Sequence, residues 1–541
     1  LVGLVGSEMC IRDRRMTARR LARAAAIVAL FGVLSRLLGF AREIILAAAF
    51  GTSAATDAFV NSLLIVNSVA AILLYTLVTL VIPAFSAERA EHGTASAWRL
   101  MSALSAWVGA LLIALTSVAL IWPEAIAAIY FLEPEREAET ARLIRIMAPA
   151  LLLQGLSALL TALLQIHGRF AGPAAVGVAF NAGIIAGVAV GWSTIGIAGA
   201  AWGVTVGATL QILLQLPQLR RVAREAGSRP ALLHPRLGGV AVLAVPVLLT
   251  SLIQQVNNFT DKLFAGTLEA GRVTALAYAN ALGQAPRAAL LLPLLTPLFP
   301  LIARLVAEGR EGDALAAFRR AAGLLALVAV PITVLMAVYA QEIAQMAFGR
   351  GACGAECVDQ TASPLFWYAF AVWGGFASML MNRTLAAGGW QRAILWVTVV
   401  TVVLTIILDL ILLGPLEQGG LALATAVAVT ANAGMLIVLV RRRYPSLAVR
   451  PLGAQAGRLV ACGAIAAAFA LVSELLVPTR DMTTPALFVI MAGKGLVVVL
   501  VYAAAARFLA PDELRIGRDS AAALVRRGRP GRPRAGSDPS G

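Results

Sequence analysis

"SRLLGFAREIILAAAFGTSAATDAF", residues 35–59, places Arg36, Arg42 and Glu43 inside one apolar run and opens the next with Asp57. An apolar helix of about 20 residues crosses the hydrocarbon core of a bilayer, and the run over 24–49 is long enough to do so. A charge at mid-helix costs on the order of 3 kcal/mol on insertion scales. Charges in such a place face a polar cavity or a partner. The stretch therefore reads as a membrane-spanning helix that carries function.

Similar windows recur along the chain, the last at 484–508. The 541 residues are 60% hydrophobic and 13% charged, against about 25% charged in soluble domains. Apolar periodicity and Gly/Pro punctuation predict an all-α polytopic membrane protein with about fourteen transmembrane helices. Connecting segments are short and hold no nucleophile–base pair or metal cluster, so no enzyme is expected.

The net charge of +16 does not indicate nucleic-acid binding, because the arginines are dispersed. They crowd alternate loops, such as "RRVAREAGSRPALLHPR" (220–236) and "RRRYPSLAVR" (441–450), and nearly vanish from "GTSAATD", "GWSTIG" and "GPLEQGG". This positive-inside bias places both termini in the cytoplasm and requires an even number of spans. Residues 1–15, which precede Met16, read as a non-native leader that includes Cys10. Residues 511–541 read as a disordered basic tail near anionic lipid. Cys353 and Cys357 fall in one loop on the non-cytoplasmic side, where a disulfide and two unrelated thiols are both open readings.

On an unbroken helix Arg36 and Glu43 share a face, with Gly39 between them, while Arg42 points about 120° away. A bend at Gly39 would turn both arginines toward one cavity. Arginine suits a diphosphate because its planar fork donates bidentate hydrogen bonds and never loses its proton. The seventh span carries "QQVNNFTDKLFAG" (254–266). Neighbouring Asp261 and Lys262 do not face each other on a helix, which leaves Asp261 free for Asp409 of another span. With Asn258 and Thr405, these carboxylates make a candidate site for Na⁺ or a shared proton. The competing reading pairs Asp261 with a basic residue such as Lys494. The membrane potential is a further source of drive, and no cofactor is expected.

The sixth span, "GIAGAAWGVTVGATLQILLQLPQLRR" (196–221), and the twelfth, "GGLALATAVAVTANAGMLIVLVRRR" (419–443), each run from Gly through small residues to arginines. A six-span repeat would make two bundles around a cavity. Close helix packing alone also explains the glycines.

The opening stretch resembles the first-helix signature of the MurJ/MviN family of lipid II flippases, within the multidrug/oligosaccharidyl-lipid/polysaccharide exporter superfamily. The segments "RIMAPALLLQGLSALLTALLQIHGRFAGPA" (145–174), "FGRGACGAECVDQTA" (348–362) and "LGPLEQGGLALATAVAVTANAGML" (413–436) follow in the matching order. The resemblance implies two six-helix lobes, 16–222 and 223–445, around a central cavity. It also implies a lipid-tail groove formed by helices 13–14 within 446–510. By position, Arg36, Arg42, Glu43 and Asp57 match the family's substrate-binding set, and Asp261 its cation-coupling acid. Two cavity arginines of the pattern are missing: "NSVAAILLYTLVTLV" follows in the second helix, and Asn280-Ala281 stand in the eighth. Arg287 is the nearest substitute.

The expectation is a bacterial inner-membrane flippase that moves a polyprenyl-diphosphate-linked saccharide by alternating access. Lipid II is the leading cargo, and cell-wall synthesis proteins are the expected partners beside membrane lipid. An exopolysaccharide or O-antigen-type intermediate is the alternative. A cation-coupled small-molecule exporter and a non-transporting scaffold come after it.

Overall fold

The computed structural model describes residues 2–130, 132–223, 231–286, 304–305, 308, 310–387, 389–443, 450–479, 482 and 484–515. Regular structure among them is helical. It begins with α1 (Val2–Phe50), α2 (Ala54–Ile121), α3 (Pro123–Ala127) and a 3₁₀ turn (Ala128–Tyr130). It continues with α4 (Pro134–Ile166), α5 (Ala171–Gly191), α6 (Ala198–Ala223), α7 (Leu237–Gly266) and α8 (Arg272–Pro286). Then follow α9 (Glu311–Val338), α10 (Ala340–Phe348), α11 (Ala355–Ala387), α12 (Gln391–Arg443), α13 (Arg450–Leu476) and α14 (Thr484–Leu509).

Among the described residues, 11 helices are long and apolar enough to cross a membrane. Two of them are too long for one crossing. The 68 residues of α2 would extend about 100 Å at about 1.5 Å per residue. Non-helical backbone at Gly93, φ +82°, divides α2, and Glu417, φ +49°, divides α12. Divided there, each is long enough for two crossings, which makes thirteen among the described residues. This agrees with the all-α architecture and with the expected count of about fourteen.

The chain forms two compact units. The first comprises Leu1–Ala281, Ala347–Pro364 and Ile406–Leu421. α7 thus packs with the N-terminal helices, although chain order alone suggests a division at 222/223. Its main core joins Leu46, Phe59 and Leu63 to Leu143, Met147, Ile184 and Val204. α5 and α6 approach with their backbones nearly touching: a Cβ on Gly187 would lie 2.3 Å from the Gly199 carbonyl oxygen. Membrane helices associate through such small-residue faces because no hydrophobic force separates them from lipid. α4 and α6 are also joined by polar contacts, with Gln215 Nε2 donating to Ser157 Oγ at 2.8 Å.

The glycines of the sixth and twelfth spans serve different purposes. Those of α6 pack against α5, whereas Gly420 closes the α12 turn against the Leu412 carbonyl and Gly434 has open space around it.

The second unit comprises Leu282–Met346, Leu365–Thr405 and Ala422–Gly541. Its core is built by α9, α13 and α14, with Leu459, Cys462 and Ala466 against Leu487, Met491 and Val498. α13 and α14 expose large apolar side chains, among them Leu475, Phe488 and Phe508.

Candidate functional site

α1 runs through Gly39 without a break in its helical backbone, and the two arginines have different surroundings. Arg36 is exposed and makes no hydrogen bond or ion pair with a described residue. Arg42 is turned inward: Nη1 donates to Asn181 Oδ1 at 3.1 Å, and Nη2 pairs with Glu43. Arg42 and Glu43 are sequence neighbours, and only the length of the guanidinium arm lets them meet. α5 comes close enough to supply Asn181 because Gly177 has no Cβ; one placed there would lie 2.2 Å from Ser35 Oγ.

Asp57, expected among the substrate-binding residues, is bonded to the start of α8. It is 1% exposed, and Oδ1 accepts from the Thr274 N–H at 2.8 Å and the Thr274 hydroxyl at 2.6 Å. Oδ2 accepts from the Gly271 N–H at 2.7 Å and faces Arg136 Nη2 at 3.4 Å. The carboxylate caps the N-terminus of α8, a position that favours negative charge. With these bonds it ties α2 to α4 and to the start of α8. Arg136 also donates to the Leu268 carbonyl at 2.9 Å.

The loop after α10 anchors on the end of α1. Ala352 N–H donates to the Ala48 carbonyl at 2.8 Å. Gly51 and Gly351, both with positive φ, allow the approach, since Cβ atoms there would lie 2.7 and 2.2 Å from backbone oxygens. Cys353 and Cys357 in this loop form a disulfide, which decides between the two readings of that pair.

Asp261 and Asp409 both belong to the first unit and lie close enough to interact electrostatically. Asp409 is fully buried. Asp261 Oδ1 and both Asp409 oxygens are buried without a hydrogen-bond partner among the described residues. Lys262 also senses the charges of Asp261, Asp57 and Glu43, and its ammonium donates to the Val273 carbonyl at 3.2 Å. Burying a carboxylate oxygen without a hydrogen-bond partner is costly. Asn258, three residues before Asp261, is exposed and bonds Gln255 at 3.4 Å. Thr405, one turn before Asp409 on α12, donates its hydroxyl to the Thr401 carbonyl at 2.9 Å. Lys494 is engaged elsewhere, with Nζ 2.7 Å from Glu474 Oε2. Arg287 lies outside the described residues.

Asn181 and Arg136 were not legible as site residues in the sequence. An asparagine among the glycines of "GPAAVGVAFNAGIIAG" and an arginine in "EPEREAET" give no sign of partners 139 and 79 residues away.

The family model described as "Lipid II flippase MurJ" matches residues 46–492. The chain belongs to the MurJ family. A relative from Rhizobium meliloti, called a probable lipid II flippase MurJ, is 27% identical over 451 residues, covering 80% of this chain and 83% of its own. The lipid II flippase MurJ of Burkholderia cenocepacia is 25% identical over 437 residues, covering 78% and 84%. Among solved structures, an inward closed lipid II flippase MurJ superposes with a TM-score of 0.74 at 18% identity, covering 88% of this chain and 98% of that one. An inward-facing multidrug-resistance MATE transporter gives 0.64 at 13% identity, covering 76% and 95%. Those two likenesses establish the fold. The MurJ assignment rests on the family model.

Proposed function

We propose that this MurJ-family chain is a flippase for polyprenyl-diphosphate-linked saccharides, with lipid II as its cargo, working by alternating access in a bacterial inner membrane with both termini cytoplasmic. The observation that carries the reading is Arg36: a permanent cation within the first membrane span, exposed and without a bonded partner among the described residues. A diphosphate supplies the missing counter-charge and accepts the bidentate hydrogen bonds of the guanidinium. Arg42, held by Asn181 and Glu43, is the second cation of the same helix. No bond of the cargo is broken in this process.

Cargo shifts the protein between states only if it binds them unequally. Asp261 and Asp409 supply the second input. Proton or Na⁺ binding there would relieve the repulsion of two buried carboxylates and so bias one state. The membrane potential adds about 2.3 kcal/mol per charge moved through 100 mV.

The test is translocation of fluorescent lipid II in proteoliposomes. The expected result is movement that Arg36→Ala abolishes while the protein remains folded, with Asp261→Asn removing the response to Na⁺ or pH. Transport unaffected by Arg36→Ala would overturn the diphosphate role. A chain that moves another diphosphate-linked glycan but never lipid II would shift the cargo to the exopolysaccharide class.

A further inference from the structure

Within the second unit, the end of α13, Lys494 of α14 and the short helix α10 meet around a buried threonine. Thr479 is 0% exposed. Its hydroxyl oxygen lies 2.9 Å from Glu474 Oε1 and 3.0 Å from Glu342 Oε1. Glu474 Oε1 also accepts the Thr479 N–H at 3.1 Å, and its Oε2 takes the Lys494 ammonium at 2.7 Å. Lys494 donates in addition to the Val477 carbonyl at 2.6 Å. Glu342 is 4% exposed, and its Oε2 has no hydrogen-bond partner among the described residues. Tyr339 does not reach it, because its hydroxyl is engaged with Ser473 Oγ at 2.8 Å.

Two counts fail to balance. The threonine hydroxyl has one proton, yet it touches an oxygen of each of two carboxylates. It can donate to one of them, and the other contact would set lone pair against lone pair. Among the described residues, the charged side chains bonded into the cluster are Glu342, Glu474 and Lys494, two acids for one base. A buried charge is tolerated when it is both paired and hydrogen-bonded. Glu474 meets that condition through Lys494 and the two groups of Thr479. Glu342 does not.

We infer that Glu342 and Thr479 form a binding site for one monovalent cation, a proton or Na⁺, which fastens α10 to the α13–α14 hairpin. A proton on Glu342 Oε1 donates to the threonine oxygen, restores both counts and leaves Oε2 as the carbonyl of a neutral acid. Na⁺ does the same by accepting lone pairs from Glu342 and Thr479 Oγ1. The residues are a different set from Asp261 and Asp409. The site acts on the C-terminal hairpin, which becomes tightly held when the cation is bound and loosened when it leaves.

The experiment uses the full chain in lipid nanodiscs, comparing wild type with Glu342→Gln. Glutamine carries the missing hydrogen and no charge, so this variant should fold. Its unfolding midpoint should match or exceed that of wild type at high pH without Na⁺. The share of the wild-type midpoint that responds to pH and to NaCl, against equal N-methylglucamine chloride, should shrink by the contribution of this site. For a proton, wild type also shows an infrared carboxylic-acid carbonyl band that Glu342→Gln removes and that Na⁺ leaves unchanged. For Na⁺, no such band is lost, and the Na⁺-dependent stabilisation disappears in the variant. Three results would each overturn the inference. They are a Glu342→Gln chain that does not fold, a lower midpoint at every pH, and pH and Na⁺ responses identical to wild type.

Discussion

The side-chain amide of Asn181 holds Arg42 and the backbone of α1 together. Its oxygen accepts from Arg42 Nη1 at 3.1 Å, while its nitrogen donates to the Ser35 carbonyl at 3.2 Å and the Gly177 carbonyl at 2.9 Å. Both donors and the acceptor are used, which fixes which way the amide lies and hence where the guanidinium points.

Asn181→Leu keeps the volume and removes all three bonds. A hydrogen bond to a charged group contributes about 1.5–3 kcal/mol, and about 1.4 kcal/mol is tenfold in affinity. Binding of a soluble diphosphate-linked headgroup analogue should weaken roughly tenfold, with translocation reduced alongside. Equal affinity for wild type and variant in a titration would show that Arg42 needs no help from α5.

Removal of Asp57 should affect stability more than cargo affinity. Asp57→Ala leaves Arg136, 7% exposed, buried without its counter-charge, and breaking such a pair costs about 3–5 kcal/mol. It also uncaps α8. The double variant Asp57→Leu with Arg136→Met should recover much of the loss, because the orphaned charge is gone. Chemical unfolding of wild type, Asp57→Leu, Arg136→Met and the double variant reads this directly, and additive losses would refute the pairing.

Two glycine substitutions should behave in opposite ways. In Gly203→Leu the new Cβ meets the Gly183 carbonyl oxygen at 2.7 Å and Ile184 Cα at 2.8 Å. Backbone atoms cannot step aside, so α5 and α6 must separate, at a cost of about 1–3 kcal/mol or more. Gly434→Ala meets nothing within 4 Å and gains helix propensity of up to about 1 kcal/mol. Thermal midpoints should fall for the first and hold or rise for the second.

The turn around Gly93 carries a pH-dependent fastening. Glu88 is 2% exposed and lies outside the apolar crossings of α2. Its Oε1 accepts from Ser96 Oγ at 2.7 Å, and its Oε2 lies 2.9 Å from Arg236 Nε; His92 and His234 also face it, and Glu91 pairs with the same arginine. The Ser96 hydrogen bond is the largest cause holding this carboxyl below its ordinary range. A lowered pKa means that the folded state favours the charged form. The stabilisation is therefore complete above the ordinary carboxylate pKa and is lost as pH falls through the lowered one. Wild type should be more stable than Glu88→Gln at pH 7, and the difference should close on acidification below about pH 4. A difference that persists in acid would remove the carboxylate from the account.

The candidate site was partly legible before any fold was known. Arg36, Arg42 and Glu43 stand out because charge in an apolar run is costly. Asp261 and Asp409 stand out for the same reason, and the structure leaves their carboxylates unpaired. Asp57 stood out equally and turned out to be a cap for α8, because its nearest donors come from residues more than 200 positions later. The loss of a charge's hydration is visible in one dimension; the partner that compensates it is not.

By itself the sequence determined the membrane class, the rough number of crossings, the charge asymmetry of the loops and the family. Those properties follow from composition, hydropathy and local order, which survive without knowledge of contacts. Only the tertiary structure decided which charges are bonded and which stand free, that the α6 glycines serve α5, and that Cys353 and Cys357 are joined. It alone placed Glu342 beside Thr479. These outcomes depend on distances between segments far apart in the chain, set by how closely whole helices pack.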